Sequence, residues 1–244
     1  MRCFMGIVGA MIWLAVPAVL QAGDRDKALA VIDKAIEAHG GTSALDKAQM
    51  RSRSGQGVFS LRGDARFSTE ETVRFPDRCR VLLNPKRDRV ILVLNGDKGW
   101  IQAGGATQEM ARTALKEKQE ELYVWWLMTL TPLRKDEFRL KLLADAKVND
   151  RDAAVVLVSR KDSPDARLFF DKRSGLLVKI ARPATESGLP ITKEYVYSDH
   201  KEFDGVKMPT KEVITLNGTA KYSEVKFSDY KVLSRAEDKL FEKP

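Results

Sequence analysis

The sequence predicts a mainly β protein of the α+β class, in which one antiparallel sheet and a few covering helices form a single domain. About ten segments alternate apolar and polar residues with the period of a β-strand and follow one another at hairpin spacing. Short turns rich in Asn, Asp, Gly and Pro separate them, and no helices alternate with them as they would in a parallel sheet. No Pro-, Gly- or Ser-rich linker divides the chain, so residues 23–244 are expected to form one domain.

The composition of the 244 residues excludes several classes of function. Lys and Arg number 42 and Asp and Glu number 34, which gives a net charge of +8. This excess is mild and lacks the dense basic blocks of a nucleic-acid-binding protein, so no nucleic-acid partner is expected. Two cysteines and two histidines leave too little material for a zinc site or a disulfide framework, and neither a metal nor a cofactor is expected.

Residues 1–22 have the pattern of a secretory signal peptide. A single charge, Arg2, precedes an apolar run over residues 4–20, and Gln21-Ala22 leads into a polar segment. Cleavage is expected after Ala22, with Ala18 as an alternative, and a retained membrane anchor is the competing interpretation. The mature chain is thus expected to be exported with one cysteine, Cys79, which is interpreted as a small buried residue.

Two helices are expected next. Residues 24–39 place Ile32 and Ile36 on one apolar face, and two glycines end this helix before a second, short one begins. His39 suits the negative end of the first helix. His200 is far from it in the sequence, and both histidines are interpreted as structural or solvated.

From Met50 the apolar period changes to two. Strands are expected from Val58 onward and at residues 67–75, 78–83, 89–94 and 100–102. One face of the second strand carries Phe67, Thr69, Glu71, Val73 and Phe75. Seven further strands are expected at residues 138–143, 153–159, 167–170, 176–181, 191–197, 207–216 and 220–230, and residues 236–244 resemble a terminal cap.

Residues 110–130 interrupt the strands with a helix that is charged in its first half and apolar all round in its second half. A helix that packs on a single surface needs only an apolar stripe. We therefore interpret this segment as a lid over the sheet, with Trp125, Trp126 and Met128 as its covering residues. The alternative is an ordinary core helix.

An antiparallel sheet of this size must curl, and its inner face must be covered by helices or by a ligand. The segments 90–94 and 155–158 are apolar on both faces and are expected to be buried on both sides. The helical segments are few for so many strands, which leaves room for a hydrophobic guest.

Four turn and strand segments carry a family resemblance: 74–78, 93–100, 168–171 and 174–177. With the helix inserted between the second and the third, they resemble the periplasmic outer-membrane lipoprotein-sorting proteins, the LolA-like family, over essentially the whole mature chain. The resemblance implies a periplasmic location and an incomplete β-barrel, lidded by helices, whose concavity holds lipid or lipoprotein acyl chains. The family's lipoprotein carrier has a lid-latching arginine directly before the strand-ending proline, where this chain has Phe75. Such a departure indicates a divergent paralogue.

Face and resemblance together select ten candidate lining residues. They are Phe67, Val73, Phe75, Val81, Leu92, Leu94, Trp100, Trp126, Leu168 and Phe170. The implied partners are acyl chains and donor or acceptor proteins of the envelope, and the protein is expected to be a monomer. A basic cluster of Arg74, Arg78, Arg80, Lys86, Arg87 and Arg89 suits peripheral contact with an anionic membrane or, equally, a solvated outer face.

The sequence offers little for catalysis. It has no phosphate-binding loop, nucleophile elbow, paired-histidine helix or Cys-x-x-Cys motif. Glu70 and Glu71 are adjacent on a strand and point to opposite faces, so they cannot act as an acid–base pair. We therefore expect a binding protein rather than an enzyme. The alternatives are an enzyme that uses the same curved sheet and an envelope scaffold whose groove is filled by its own helix.

Overall fold

The structure is a computed structural model that describes residues 19–85, 89–186 and 189–244. The signal-peptide prediction concerns residues 1–22, of which 1–18 lie outside the described residues. Among the described helices, none combines the length and the apolar character needed to cross a membrane.

Three α-helices and 13 strands make up the described part of the chain. The first segment contains α1 (Val19–Ala38), α2 (Gly41–Lys47), β1 (Met50–Phe59), β2 (Ala65–Arg74), β3 (Arg78–Pro85), β4 (Val90–Asn95), β5 (Lys98–Ala103), β6 (Ala106–Glu109) and α3 (Arg112–Leu127). The second contains β7 (Phe138–Val148), β8 (Arg151–Arg160), β9 (Ala166–Asp171), β10 (Leu177–Glu186), β11 (Leu189–Phe203), β12 (Val206–Leu216) and β13 (Ala220–Val232).

All 13 strands form one antiparallel sheet in the order β6-β5-β4-β3-β2-β1-β13-β12-β11-β10-β9-β8-β7. The chain thus makes two meanders that join where β1 pairs with β13. The sheet is not closed: β6 and β7 are its two edges, and α3 is the segment that connects them. This confirms the prediction of a single open antiparallel sheet covered by helices.

A β-bulge between β1 and β13 helps the sheet to curl. The strand register shifts between Ser54 and Gly55, and such bulges increase the local twist. A Cβ atom on Gly55 would lie 2.4 Å from the carbonyl oxygen of Lys226. Glycine therefore lets the two strands approach each other more closely than any other residue would.

The expected start of the first strand, Val58, is wrong by eight residues because β1 begins at Met50. Its buried positions include Arg51 and Arg53, which alternate with serines, so no apolar face marks the strand in the sequence. Strand β6 is short and mostly exposed, and it is also absent from the prediction because no apolar face marks it in the sequence.

The strands that are apolar on both faces are buried on both sides, as expected. On β8, Val156 belongs to the main core beneath the helices, together with Leu168. Its neighbour Val155 packs on the opposite face of the sheet, in a second cluster with Phe169. We call the two faces concave and convex, the helices α1 and α3 contributing to the core on the concave face.

The C-terminal segment is a cap, as expected. Phe241 is fully buried in a 3-10 turn, Asp238–Phe241, that contacts β3 and β4. Arg74 and Arg78 bind the Asp238 carboxylate at 2.5 and 3.1 Å. Two of the cations in the predicted basic cluster therefore hold this cap.

Candidate functional site: the concave face beneath helix α3

Helix α3 crosses the opening of the sheet because it joins the two edge strands. Its second half is buried from Leu122 to Leu127, and Met128 directly after it is buried as well. The predicted lid residues Trp125, Trp126 and Met128 all lie in this buried part. The charged first half of α3 is more exposed.

The structure brings nine of the ten predicted lining residues to the core on the concave face. The eight that are buried there are Phe67, Val73, Phe75, Val81, Leu94, Trp126, Leu168 and Phe170, and Leu92 is partly buried against them. They come from both halves of the sheet and from α3. A guest that replaced α3 on this face would meet the apolar residues that the sheet contributes.

Trp100 is the exception, and its placement on the concave face is wrong. Its neighbour Gly99 faces the start of α3, since a Cβ atom there would lie 2.9 Å from Leu115 and from Met110. Side chains alternate along a strand, so Trp100 points to the convex face together with its cross-strand partner Val93. Because a turn precedes β5, the apolar pattern of β4 does not show which residues of β5 face the core, and the assignment is off by one residue.

Trp126 lines two open clefts. One has a volume of about 340 Å³ and the other about 500 Å³, and Pro76 and Arg160 also line both. The Arg160 guanidinium carbon lies 5.1 Å from the centre of the Trp126 ring system, and the Phe138 ring lies 5.5 Å from it. The indole is thus held at the clefts by contacts with a cation and an aromatic ring.

A buried ion-pair network occupies the centre of the concave face. Arg53 donates to Glu71 over 2.5 Å and to the Tyr230 hydroxyl over 3.3 Å. Its guanidinium carbon also lies 3.9 Å from the ring centre of Phe227 and 5.0 Å from that of Trp125 on α3. The network therefore joins the sheet to the lid through a cation–π contact.

Sequence reasoning did not identify this network as a site, although one signal was present. Glu71 is in phase with Phe67, Val73 and Phe75, so alternation had already placed a carboxylate on the buried face. A buried carboxylate requires a partner. The partner, Arg53, lies on the strand whose start the sequence did not reveal.

Glu212 and two tyrosines extend the network on β11 and β12. Burial raises the pKa of Glu212 to about 7, although Arg53 opposes that shift. Its Oε2 atom and the hydroxyls of Tyr195 and Tyr197 are buried without a hydrogen-bond partner. Burial likewise raises the pKa of Tyr195 to about 12. This part of the concave face consequently has unused polar capacity.

A second set of ion pairs holds the first half of α3. Arg182 on β10 donates to Glu120 over 2.7 Å, and Lys193 on β11 donates to Glu121 over 2.8 Å. Burial opposes the charge on Glu121, but Lys118 and Lys193 outweigh it and lower the pKa of that carboxyl far below its usual value. These contacts tie α3 to the sheet, and we call them the polar latch.

The latch differs from the one that the family resemblance implies. Phe75, at the position of the family's latching arginine, is buried, and Arg74 instead binds Asp238. The cations that contact α3 come from β1, β8, β10 and β11. Within the described residues, no three His, Cys, Asp or Glu side chains are grouped as a metal site would require.

Comparison with known proteins identifies the fold. The sequence matches no protein-family model and no curated protein. An outer membrane lipoprotein-sorting protein domain from Vibrio parahaemolyticus has a similar structure, with a TM-score of 0.58 at 13% identity over 89% of this chain and 97% of that chain.

Two further solved structures agree. A LolA superfamily protein from Nitrosomonas europaea gives a TM-score of 0.56 at 15% identity over 82% of this chain and 96% of that one. A DUF1329 family protein from Desulfovibrio piger gives 0.57 at 12% identity over 88% and 97%. The fold is therefore LolA-like, and at such identities the likeness concerns the fold alone.

Proposed function

We propose that this protein is a periplasmic carrier that holds lipid or lipoprotein acyl chains on the concave face when α3 lifts. The observation that carries the proposal is the position of Trp126, which lines two open clefts and is also part of the apolar core on the concave face. Displacing this indole would open that core toward the clefts. A helix held by polar contacts at one end and by aromatic contacts at the other suits a lid better than a permanent core helix.

The free energy of binding comes from the burial of apolar surface. Each methylene that leaves water contributes about 0.8 kcal/mol, so one acyl chain can replace the aromatic contacts of α3 at little net cost. The chain would contact the residues predicted as lining, apart from Trp100. Transfer by this means requires no bond to be made or broken.

The location and partners belong to the same proposal. The signal-peptide pattern of residues 1–22 and the LolA-like fold support export to the periplasm. A donor that releases a lipidic cargo and an acceptor that receives it are the partners that a carrier needs.

A matched pair of tryptophan variants tests the proposal. Stearate with a spin label near its methyl end should quench the tryptophan fluorescence of the protein when the chain lies against α3. In Trp125→Phe with Trp126→Phe this quenching should disappear, whereas Trp100→Phe, which changes the convex face, should retain it. Native mass spectrometry of the protein purified from its own envelope should also show a bound lipid. Equal quenching in the two variants, or none in the unchanged protein, contradicts the proposal.

The polar network favours a second candidate, an enzyme on the same curved sheet. Glu212, buried and with a pKa raised to about 7 by that burial, is the kind of group that can exchange protons near neutral pH. The two candidates differ in the fate of the bound compound. A carrier returns it intact, whereas an enzyme converts it, and Glu212→Gln would abolish only the conversion.

A further inference from the structure

Two cations face each other on the concave side of the β10–β11 hairpin. Arg182 and Lys193 are directly opposed in the strand ladder, and their side chains are 0% and 4% exposed. Like charges in this position repel each other, and a buried charge without a partner is costly. The sheet alone therefore creates a site that requires an anion.

In the closed structure α3 supplies that anion, but only in part. Glu120 binds Nη1 of Arg182, and Glu121 binds Nζ of Lys193. Nη1 also donates to the Pro183 carbonyl over 3.1 Å, and the Nε and Nη2 atoms of Arg182 are buried beside the Tyr195 hydroxyl with no carboxylate partner. A guanidinium fork can bind a carboxylate or phosphate through two parallel hydrogen bonds, and Glu120 uses only one arm of it. The geometry leaves capacity for a stronger anionic ligand.

We propose that Arg182 and Lys193 form the headgroup site for an anionic amphiphile, whose carboxylate or phosphate replaces Glu120 and Glu121 when α3 lifts. This inference rests on the proposed carrier function and names the class of its cargo. The lid carboxylates act as an internal substitute for the headgroup, so the two cations keep a partner in both states.

The order of charged and apolar residues along α3 indicates how a cargo would be oriented on the concave face. Glu121 contacts Lys193 of the cation pair, and Trp125 follows four residues later on the same face, about 6 Å along the helix axis. This face of the lid therefore changes from anionic to apolar along its length. An amphiphile with its head on the cation pair and its tail in the place of Trp125 would reproduce that order.

Affinities for matched charged and neutral ligands test the site. Palmitate and hexadecyl phosphate are compared with methyl palmitate and hexadecanol, all below their critical micelle concentrations, in displacement of a neutral fluorescent probe. The anionic ligands should bind at least about 10-fold more tightly than the neutral ones, a difference typical of one or two charge-assisted hydrogen bonds. Arg182→Gln and Lys193→Gln should each reduce this ratio several-fold. Lys179→Gln removes a cation of the same hairpin on the convex face, which pairs with Glu194, and should not change it.

Substitution of the lid carboxylates tests the site independently, because both cations stay in place. Glu120→Gln with Glu121→Gln removes the two carboxylates that hydrogen-bond to the cation pair, leaving Glu117 at 3.7 Å from Lys193, and should raise the ratio of anionic to neutral affinity several-fold. Glu109→Gln, which removes an exposed carboxylate just before α3, is the control and should leave the ratio unchanged. The sign of the effect separates competition from simple loss of structure, because unfolding would weaken binding of all four ligands.

Each outcome has a distinct meaning. Equal affinity for anionic and neutral ligands overturns the headgroup site and leaves the carrier function standing. Absence of binding by all four ligands overturns both. Inorganic phosphate that competes with palmitate as strongly as hexadecyl phosphate does would show a site for a free anion, and the assignment to an amphiphile would fail. A preference for only one of the two headgroups identifies the source of the anion.

Discussion

At the scale of single residues, two buried titratable groups control stability in opposite directions. His39 Nδ1 donates to the Lys207 carbonyl over 2.7 Å, and its Nε2 accepts from the Leu177 N–H over 3.1 Å. Both bonds together require the neutral imidazole, and burial lowers the pKa of His39 to about 4. The histidine is therefore structural, as expected from the sequence, and it joins the end of α1 to β10 and β12.

The sign of each contribution follows from its pKa shift. His39 has a folded pKa below its unfolded value, so its stability contribution is present above pH 6.5 and is lost as the pH falls toward 4. Glu212 has a raised pKa, mainly through burial, so its contribution is present below pH 4.5 and is lost as the pH rises through 7. Between pH 5 and 7 each changes the free energy of unfolding by about 2 kcal/mol, with opposite sign.

We expect these two effects to cancel in the unchanged protein and to separate in variants. Between pH 5 and 7, Glu212→Gln should gain about 2 kcal/mol of stability, and His39→Gln should lose about as much over the same range. The double variant should retain only a weak rise of stability with pH, because burial also lowers the pKa of His200. Urea unfolding at a series of pH values measures this. If the two single variants have the same slope, one of the two assignments is wrong, even where His39→Gln is less stable at every pH.

At the scale of elements, Gly99 determines how closely the start of α3 approaches the sheet. A Cβ atom there would lie 2.9 Å from Leu115 Cδ1 and from Met110 Sδ. Gly99→Val should therefore displace these two flexible side chains and destabilise the protein by about 1 kcal/mol, the lower end of the usual cost of overpacking, and should loosen α3. Ala103→Val adds a branched residue at an exposed position of the same strand and should be nearly neutral. Urea unfolding followed by tryptophan fluorescence gives both values, and equal effects would contradict the role of Gly99.

The elements with one apolar face were predictable, and those with a buried polar face were not. Alternation located β2 and most later strands within a few residues, because their inner positions are apolar. The first half of β1 escaped because Arg51 and Arg53 occupy its inner face and are stabilised by partners on other strands. Such pairing is a property of the assembled sheet and leaves no mark in a local window of sequence.

The same reason explains how much of the site was predictable. The apolar lining and the lid residues follow from phase and from the all-round apolar character of the second half of α3. The cation pair does not, because Arg182 and Lys193 lie on separate strands and only the hairpin opposes them. Their role depends on a register that short turns set and on a helix about 70 residues earlier in the chain.

At the scale of the whole molecule, the topology leaves α3 outside the hydrogen-bonded ladder of the sheet. The helix joins β6 to β7, the two edges of the open sheet, so it can move without breaking a strand ladder. Helix α1 instead lies along β7 and buries Ile32 and Ile36 completely in the core. Polar contacts hold the first half of α3, whereas packing holds α1.

Hydrogen exchange should therefore distinguish the two helices. We expect the amides of α3 to exchange through a local opening with a lower free energy than global unfolding, and those of α1 to exchange only with the sheet. Removal of one partner from a buried ion pair costs about 3–5 kcal/mol, so Glu120→Gln with Glu121→Gln should accelerate exchange in α3 at least roughly 100-fold and leave α1 unchanged. Glu109→Gln should change neither. Identical exchange of α1 and α3, in the unchanged protein and in the variant, would mean that the molecule opens only as one unit, and a lid that admits an acyl chain would then be impossible.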